Sequence, residues 1–328
     1  MILYEDNDII VCHKKVGIPV QSARIGQKDM VSILNNHLAE QASGAKSSRQ
    51  KEPQQIFVVH RLDQPVEGVI VFAKNKKAAA GLGRQITDGS MKKQYQAVVC
   101  VTQKGRELLD AKRMGSSIDA CVQKQADSSF AEEKQNYHLV DYLAKDGRTN
   151  RSEVVQQDHP DAKRAELTFS VLNDGWRAED GSWHEVASDG KNIDDGYHSR
   201  LESGVDSSEG MDKAVDRYRE GKRYARVAID LKTGRHHQIR VQMAHAGLPL
   251  YGDQKYHPGW QDYVLEQEET ENELFGFFGS VPAKRNPSLA LCSVRLVFEH
   301  PITGKKMQFE TKPTTEAFVF CSEPSKIS

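Results

Sequence analysis

Two β-branched apolar runs, Phe57-Val58-Val59 and Val69-Ile70-Val71-Phe72-Ala73, enclose the polar stretch His60-Arg61-Leu62-Asp63-Gln64-Pro65-Val66-Glu67-Gly68. Runs of this kind specify buried strands, while Gln64, Pro65 and Gly68 interrupt them. The chain is thereby held to a strand, turn, strand unit with a short polar loop at a sheet edge. Asp63 then stands at the rim of a rigid scaffold. By itself an aspartate in such a loop serves the turn as readily as it serves chemistry, so its meaning depends on what else the chain supplies.

Two later blocks supply it. Lys92-Lys93-Gln94-Tyr95-Gln96-Ala97-Val98-Val99-Cys100 is a basic turn running into a strand, with Tyr95 thirty-two residues after Asp63. Thr233-Gly234-Arg235-His236-His237-Gln238-Ile239-Arg240 follows, continued by His245 and Tyr251-Gly252-Asp253. In this order the three blocks resemble the RluA-type pseudouridine synthase family, whose motifs are His-Arg-Leu-Asp, a tyrosine about thirty residues on, and Gly-Arg-x-His-Gln-Ile-Arg. The opening Ile2-Leu3-Tyr4-Glu5-Asp6 with Gly17-Ile18-Pro19, and the closing Leu289-Ala290-Leu291-Cys292 with Phe298-Glu299-His300-Pro301, are similar to the family's ends. The resemblance covers the chain apart from insertions, and three motifs in order are far more specific than one. Departures are Val66 and Glu67 in place of Thr-Ser, the doubled His236-His237, and Lys15 in place of a proline. Glu67 is expected to add negative charge near the site.

The resemblance implies an α+β pseudouridine synthase fold: a mostly antiparallel, bent mixed sheet with flanking helices and a cleft across it. It implies that Asp63 is the catalytic carboxylate, with Arg240 as its cationic partner and Tyr95 as the ring that stacks on uracil and assists proton removal at C5. Lys92, Lys93, Arg235, His237 and Gln238 are the matching candidates for holding RNA, His60 and Arg61 for shaping the loop or holding RNA phosphate, and Arg61 for filling the gap left by a flipped base. The partner implied is structured RNA, ribosomal or transfer. Asp63 can act as a nucleophile at C1′ or C6, or assist elimination at C2′, and the sequence does not choose. A carboxylate ionised in a partly desolvated pocket calls for a nearby cation, which a guanidinium supplies by two parallel bonds. The alternative is a non-catalytic RNA-binding member of the same fold, for which Val66 and Glu67 are the only support. His236, His237, His245 and Asp253 also invite a metal-hydrolase reading, but the His-Glu-x-x-His arrangement is missing, so no metal and no cofactor is expected.

Composition bears on the partner. Net charge is −1, which at first disfavours an RNA enzyme. Between Asn173 and Asp216, however, twelve acidic residues face four Lys/Arg, a local charge of −8 that leaves +7 on the remainder. The segment 173–216 reads as an acidic insertion, a flap that repels non-target RNA, within a basic body whose clusters Lys74-Lys76-Lys77, Lys92-Lys93, Lys112-Arg113 and Arg217-Arg219-Lys222-Arg223 can follow phosphates. Five scattered cysteines, Cys12, Cys100, Cys121, Cys292 and Cys321, form no pair suited to a disulfide framework or thiolate metal site. No apolar run nears the roughly 20 residues that span a bilayer, and the N-terminus lacks a signal-peptide pattern. These points lead us to expect a cytoplasmic monomer with no membrane partner.

Along the chain, 1–328 reads as one catalytic domain without the small N-terminal RNA-binding domain of many relatives. Short strands lead to an amphipathic helix capped by Asp29, with Met30, Ile33, Leu34 and Leu38 inward. Residues 41–55 read as a flexible linker. The pattern predicts a helix over Lys76–Thr87 burying Ala79, Leu82 and Ile86, and strands over 162–172 and 223–231. It leaves Tyr137–Leu143 open between strand and helix. The third motif is predicted helical, with Ile239, Met243 and Ala246 on its core face.

Overall fold

Side chains alternating between the two faces of a pair of fully buried strands divide the core. β2 (Ile9–Lys14) and β4 (Glu67–Ala73) pair antiparallel from Ile9↔Ala73 to Lys14↔Gly68, and every residue of both is buried. Successive side chains point to opposite faces. Ile10, Cys12, Ile70 and Phe72 therefore join one apolar cluster, and Ile9, Val11, Val69 and Val71 another. A sheet buried on both faces needs a layer against each. The structure, a computed structural model, describes residues 1–24, 26–44, 55–113, 136–177, 183–185, 222–260 and 287–319.

The first face is covered by α1 (Met30–Gly44), which follows the edge strand β1 (Ile2–Glu5) and β2. Met30, Leu34 and Leu38 enter the first cluster and Val31 packs beside them, but Ile33 is 38% exposed. The stripe leans toward Val31, so the predicted inward position of Ile33 is corrected. Asp29 caps the helix reciprocally: its Oδ1 accepts from Ser32 N at 2.7 Å, and Ser32 Oγ accepts from Asp29 N at 3.1 Å. Because α1 runs to Gly44, the first residues of the expected 41–55 linker are helical; 45–54 lie outside the described residues.

β3 (Phe57–Val58) and β4 flank the polar loop. α2 (Lys76–Thr87) has the predicted bounds; Asn75 caps it by accepting from Ala78 N at 2.8 Å, and Leu82 is buried against the second cluster, with Ala79 and Ile86 packed beside it. There follow β5 (Lys92–Cys100), α3 (Gln103–Arg113), β6 (Asn136–Asp146), β7 (Arg151–Val155), β8 (Lys163–Arg177), β9 (Trp183–Glu185), β10 (Lys222–Leu231), α4 (Gln238–His245), β11 (Leu291–Glu299), β12 (Lys306–Glu310) and α5 (Glu316–Val319). Tyr137–Leu143 is thus strand. In α4, Ile239 and Met243 join the first cluster with Ala246 beside them, as the spacing predicts.

All twelve described strands form one sheet, ordered β1-β2-β4-β11-β5-β10-β8-β6-β7, with β3 paired to β4, β9 to β8 and β12 to β11 off this path. Every pairing is antiparallel except β4 with β11, which is parallel and limited to Cys292↔Glu67 and Ser293↔Gly68. The fold class is α+β, a mixed sheet with a few flanking helices. At the parallel contact Gly68 has φ +121, and a Cβ there would stand 2.3 Å from the Ser293 carbonyl oxygen. Only glycine lets the two strands approach so closely.

Two expected RNA contacts are spent inside the fold. Arg223 is buried, donating to Asp174 at 2.6 and 2.9 Å and to Asp110 at 2.9 and 3.0 Å. Lys74 is buried, donating to Glu5 Oε1 at 2.8 Å and to Asp6 O at 2.6 Å. Asp174 belongs to β8, which continues to Arg177, so the first residues of the 173–216 insertion are core strand; beyond them only 183–185 are described. Among the described residues no helix is long and apolar enough to cross a membrane.

Candidate active site

The loop between β3 and β4 is held from below. Leu62 and Val66 are buried in the first cluster, and Val66 N donates to Asp63 O at 3.0 Å. Lys14 is wholly buried; its Nζ donates to the carbonyls of Lys15 (3.1 Å), Ile18 (2.8 Å) and Gln64 (3.1 Å). This amine stitches the turn after β2 to the Asp63 loop. Burial pulls it down to about 8, against the upward pull of Asp63 and Glu67. His60 lies under the loop rather than on it. Its Nε2 accepts from Val71 N at 3.2 Å, and burial holds the ring neutral. The expected RNA contact by His60 is therefore corrected: it shapes the loop.

Arg240 reaches the loop from α4. Its guanidinium was expected to grip Asp63 by two bonds, and the structure corrects this: the bidentate partner is Asp253, with Nε to Oδ2 at 2.8 Å and Nη2 to Oδ1 at 2.7 Å. Asp63 Oδ2 lies 3.5 Å from the remaining nitrogen, Nη1. His237 Nε2 stands 3.6 Å from the same oxygen. Both approaches are long for hydrogen bonds, as ligand-free sites often are. Asp63 is 31% exposed at its side chain. Burial pushes its carboxyl above the usual value, against Arg240 and Lys14, with Asp253 adding to the rise. For Arg240, burial disfavours the charge but Asp253 more than offsets it, so the guanidinium is held charged.

Tyr95 is buried on β5, opposite Ile229 and Ser293. Burial, and then the Asp63 carboxylate, push its phenol well up, so it stays protonated, with the Ser293 side chain beside it. Asp63, Arg240, His237 and Tyr95 are thus brought together. Arg61 is exposed and lines the same cleft of about 780 Å³, beside Asp63, His237, Arg240, Lys145 and Lys255.

The other candidates lie elsewhere. Lys92 and Lys93 begin β5 rather than preceding it and line a second groove of about 560 Å³ with Lys232, Arg295, Lys306 and Asp230. Burial lowers the Lys93 amine to about 8. Arg235 is exposed, its Nε donating to Arg164 O at 3.0 Å. Gln238 is buried: its Oε1 accepts from Arg235 N and Thr233 Oγ1, and its Nε2 donates to Glu166 O and Gln242 Oε1. It fixes the turn into α4, which corrects its assignment to RNA.

Glu67 faces away from the expected place. It is 1% exposed and accepts from Thr314 N (2.9 Å), Thr314 Oγ1 (2.5 Å) and Thr315 N (3.2 Å) near the C-terminus. Val66 is core. The two residues that supported a non-catalytic member are thereby accounted for by packing. The supposed metal cluster is also dispersed: His245 Nδ1 bonds Asp141 at 2.9 Å, His236 Nδ1 bonds Ser152 Oγ at 2.9 Å, and Asp253 holds Arg240.

Asp253, Tyr256, Lys145 and Lys255 were not foreseen as site residues. Asp253 had a visible signal, a glycine turn after the third motif, but nothing in the sequence joins it to Arg240. Lys145 and Lys255 come from β6 and from the segment after Asp253, and only the fold places them on one cleft.

A family model described as RNA pseudouridylate synthase matches residues 8–245. Ribosomal large subunit pseudouridine synthase D of Blochmanniella floridana is 26% identical over 310 residues, 94% of this chain and 67% of that protein. The chain spans about two thirds of the length of such relatives. tRNA pseudouridine synthase C of Haemophilus ducreyi is 23% identical over 83% of this chain and 80% of its own. Among solved structures, human RNA pseudouridylate synthase domain containing 4 aligns with a TM-score of 0.53 and 18% identity, over 98% of this chain and 90% of that one, a likeness of fold.

Proposed function

The chain belongs to the RNA pseudouridylate synthase family, and from that premise we propose that it isomerises specific uridines of ribosomal or transfer RNA to pseudouridine, with Asp63 as the catalytic carboxylate. The observation that carries the reading is the partly exposed Asp63 carboxylate in a cationic cleft, with Arg240 and His237 facing one of its oxygens. The reaction breaks the bond from C1′ to N1, turns the uracil and rejoins it through C5. A fixed carboxylate beside a charged guanidinium suits a step in which Asp63 attacks, or takes a proton from, the nucleoside. Tyr95, kept as a phenol, offers a ring to the base and a hydroxyl beside Ser293. One sheet built from both ends of the chain supports a single catalytic domain. Buried thiols at Cys12 and Cys292, neither in a disulfide, suit a reducing compartment, and a cytoplasmic, monomeric enzyme completes the proposal.

The test is release of tritium from uridine labelled at C5, in ribosomal and transfer RNA, followed by carbodiimide mapping of the product. Release at one or a few uridines is expected. A complete lack of release from both pools, with folded protein, would sink the assignment.

Arg61, Lys145 and Lys255 line the catalytic cleft, and Lys92, Lys93, Lys232 and Lys306 the second groove. The loop carrying Thr233 and Gly234 of the groove leads in sequence to His236 and His237 of the cleft, and on this reading RNA flanking the target runs from one to the other. Replacing Lys92 and Lys93 together by Ala is expected to weaken RNA binding and to flatten the plot of log affinity against log salt by about 1.5, the loss of two phosphate contacts. An unchanged slope would remove the second groove from the RNA path.

A further inference from the structure

A chain of donors behind Asp63 fixes the chemical form of His237. The backbone N–H of Ser152, on β7, donates to the Tyr256 hydroxyl oxygen at 2.8 Å. That oxygen lies 2.7 Å from His237 Nδ1. Burial raises the Tyr256 phenol, so it keeps its proton, and among the described residues His237 Nδ1 is the one acceptor within reach of that hydroxyl, which therefore donates to it. Burial, then Arg240, pull His237 down to about 2, leaving a neutral ring. A neutral imidazole whose Nδ1 accepts must carry its proton on Nε2. Nε2 is the atom 3.6 Å from Asp63 Oδ2.

The ring is held there by more than one contact. His236 stacks on it with centroids 3.7 Å apart, and His236 is itself tied to Ser152 Oγ at 2.9 Å. His237 adopts φ 53, a left-handed conformation that is unfavourable for a residue with a side chain and persists where surroundings impose it.

We propose that Ser152 and Tyr256 are positioning residues that lock His237 as the Nε2–H tautomer, making it a second donor, beside Arg240, to Oδ2 of Asp63. The inference rests on the reading of Asp63 as the reacting carboxylate. Two donors on one oxygen leave the other free to meet the nucleoside and favour the ionised form against burial. Besides these donors, Asp63 is faced by Lys14 from β2, Tyr95 from β5, and Asp253, Lys255 and Tyr256 from the segment after α4. The substitutions below alter no charge among them.

Tyr256→Phe keeps the ring that lies over Arg240 (5.1 Å to the centroid) and removes only the hydroxyl. The expected result is a kcat lower by about tenfold, the worth of one charge-assisted hydrogen bond. KM should hold within about twofold by the same reasoning, and the acid limb of the pH profile should move to higher pH. His237→Gln, whose amide nitrogen can donate in place of Nε2, is expected to recover most of the activity lost in His237→Ala. A loss confined to KM, an unmoved acid limb, or equal defects in the Gln and Ala variants would overturn the proposal. Nitrogen NMR of the histidine rings in unsubstituted protein reads the tautomer without an activity assay: Nε2–H at His237 is expected, and Nδ1–H would overturn it whether or not any variant folds. Asp63→Asn run alongside separates the two readings, since its retained activity would remove Asp63 from the chemistry while the NMR result still stood.

Discussion

Asp63→Asn abolishes isomerisation, a fall of at least about four orders of magnitude if the carboxylate is the reacting group, and leaves RNA affinity within a few fold. The amide fills the same space but can neither attack nor accept a proton. Its effect on stability runs the other way. Burial raises the Asp63 carboxyl above its unfolded value of 3.8, so the folded state disfavours the ionised form. That penalty is absent below the unfolded value, grows as pH rises through the folded value, and is full at neutral pH. Asn removes it. The variant should therefore melt at or above the wild-type temperature near neutrality and lose that advantage in acid. Tritium release, RNA binding and calorimetry at the two pH extremes check the three parts. Retained turnover would refute the catalytic role, and a lower melting temperature at neutral pH would show that Asp63 is instead a structural anion.

The second large effect falls on a residue outside the three motifs. Asp253 is 1% exposed, holds Arg240 by two bonds, and through Oδ1 also accepts from Lys255 N at 3.0 Å and Tyr256 N at 3.1 Å. Asp253→Ala strands a buried guanidinium and releases the turn that presents Lys255 and Tyr256 to the cleft. Breaking a buried pair from one side costs about 3–5 kcal/mol, and denaturant unfolding should show a loss of that size. Turnover should fall as well, because the freed guanidinium can swing to form a tight pair with Asp63 and engage the oxygen the substrate needs. Asp253→Asn keeps the shape and one of the two accepting oxygens, so it should fall between. Wild-type stability in the Ala variant would mean that Arg240 finds another partner, and the account of the clamp would fail.

Local pattern carried much of this fold. The bounds of Lys76–Thr87, the Asp29 cap, the inward face of α4 and the strand after Arg223 all follow from spacing and capping chemistry that act within a few residues. What spacing could not convey is pairing at a distance. Arg240 and Asp63 looked like a couple because their motifs travel together, yet the guanidinium is shared, and its stronger bonds go to a carboxylate thirteen residues on. Glu67 looked like a surface charge beside the site because it follows a polar loop; it is the first residue of a buried strand, its charge met by threonines about 250 positions away. Gln238 lies in a motif that suggests RNA contact, and its side chain is spent on the turn into α4, on Gln242 and on one carbonyl of a neighbouring strand.

The insertion of β11 between β4 and β5 sets an order of events for newly made chain. The Asp63 loop leads into β4, whereas Tyr95 lies on β5, and in the sheet these strands do not touch except through a partner synthesised some two hundred residues later. Until Leu291–Glu299 has left the ribosome, the nascent sheet has an open seam with two unpaired apolar edges, the condition under which chains pair wrongly or aggregate. Contacts so distant in sequence also slow the final zippering. A chain halted after Tyr256 would hold every motif of the site and still lack the strand that joins its two halves, so activity should appear only once β11 has been made.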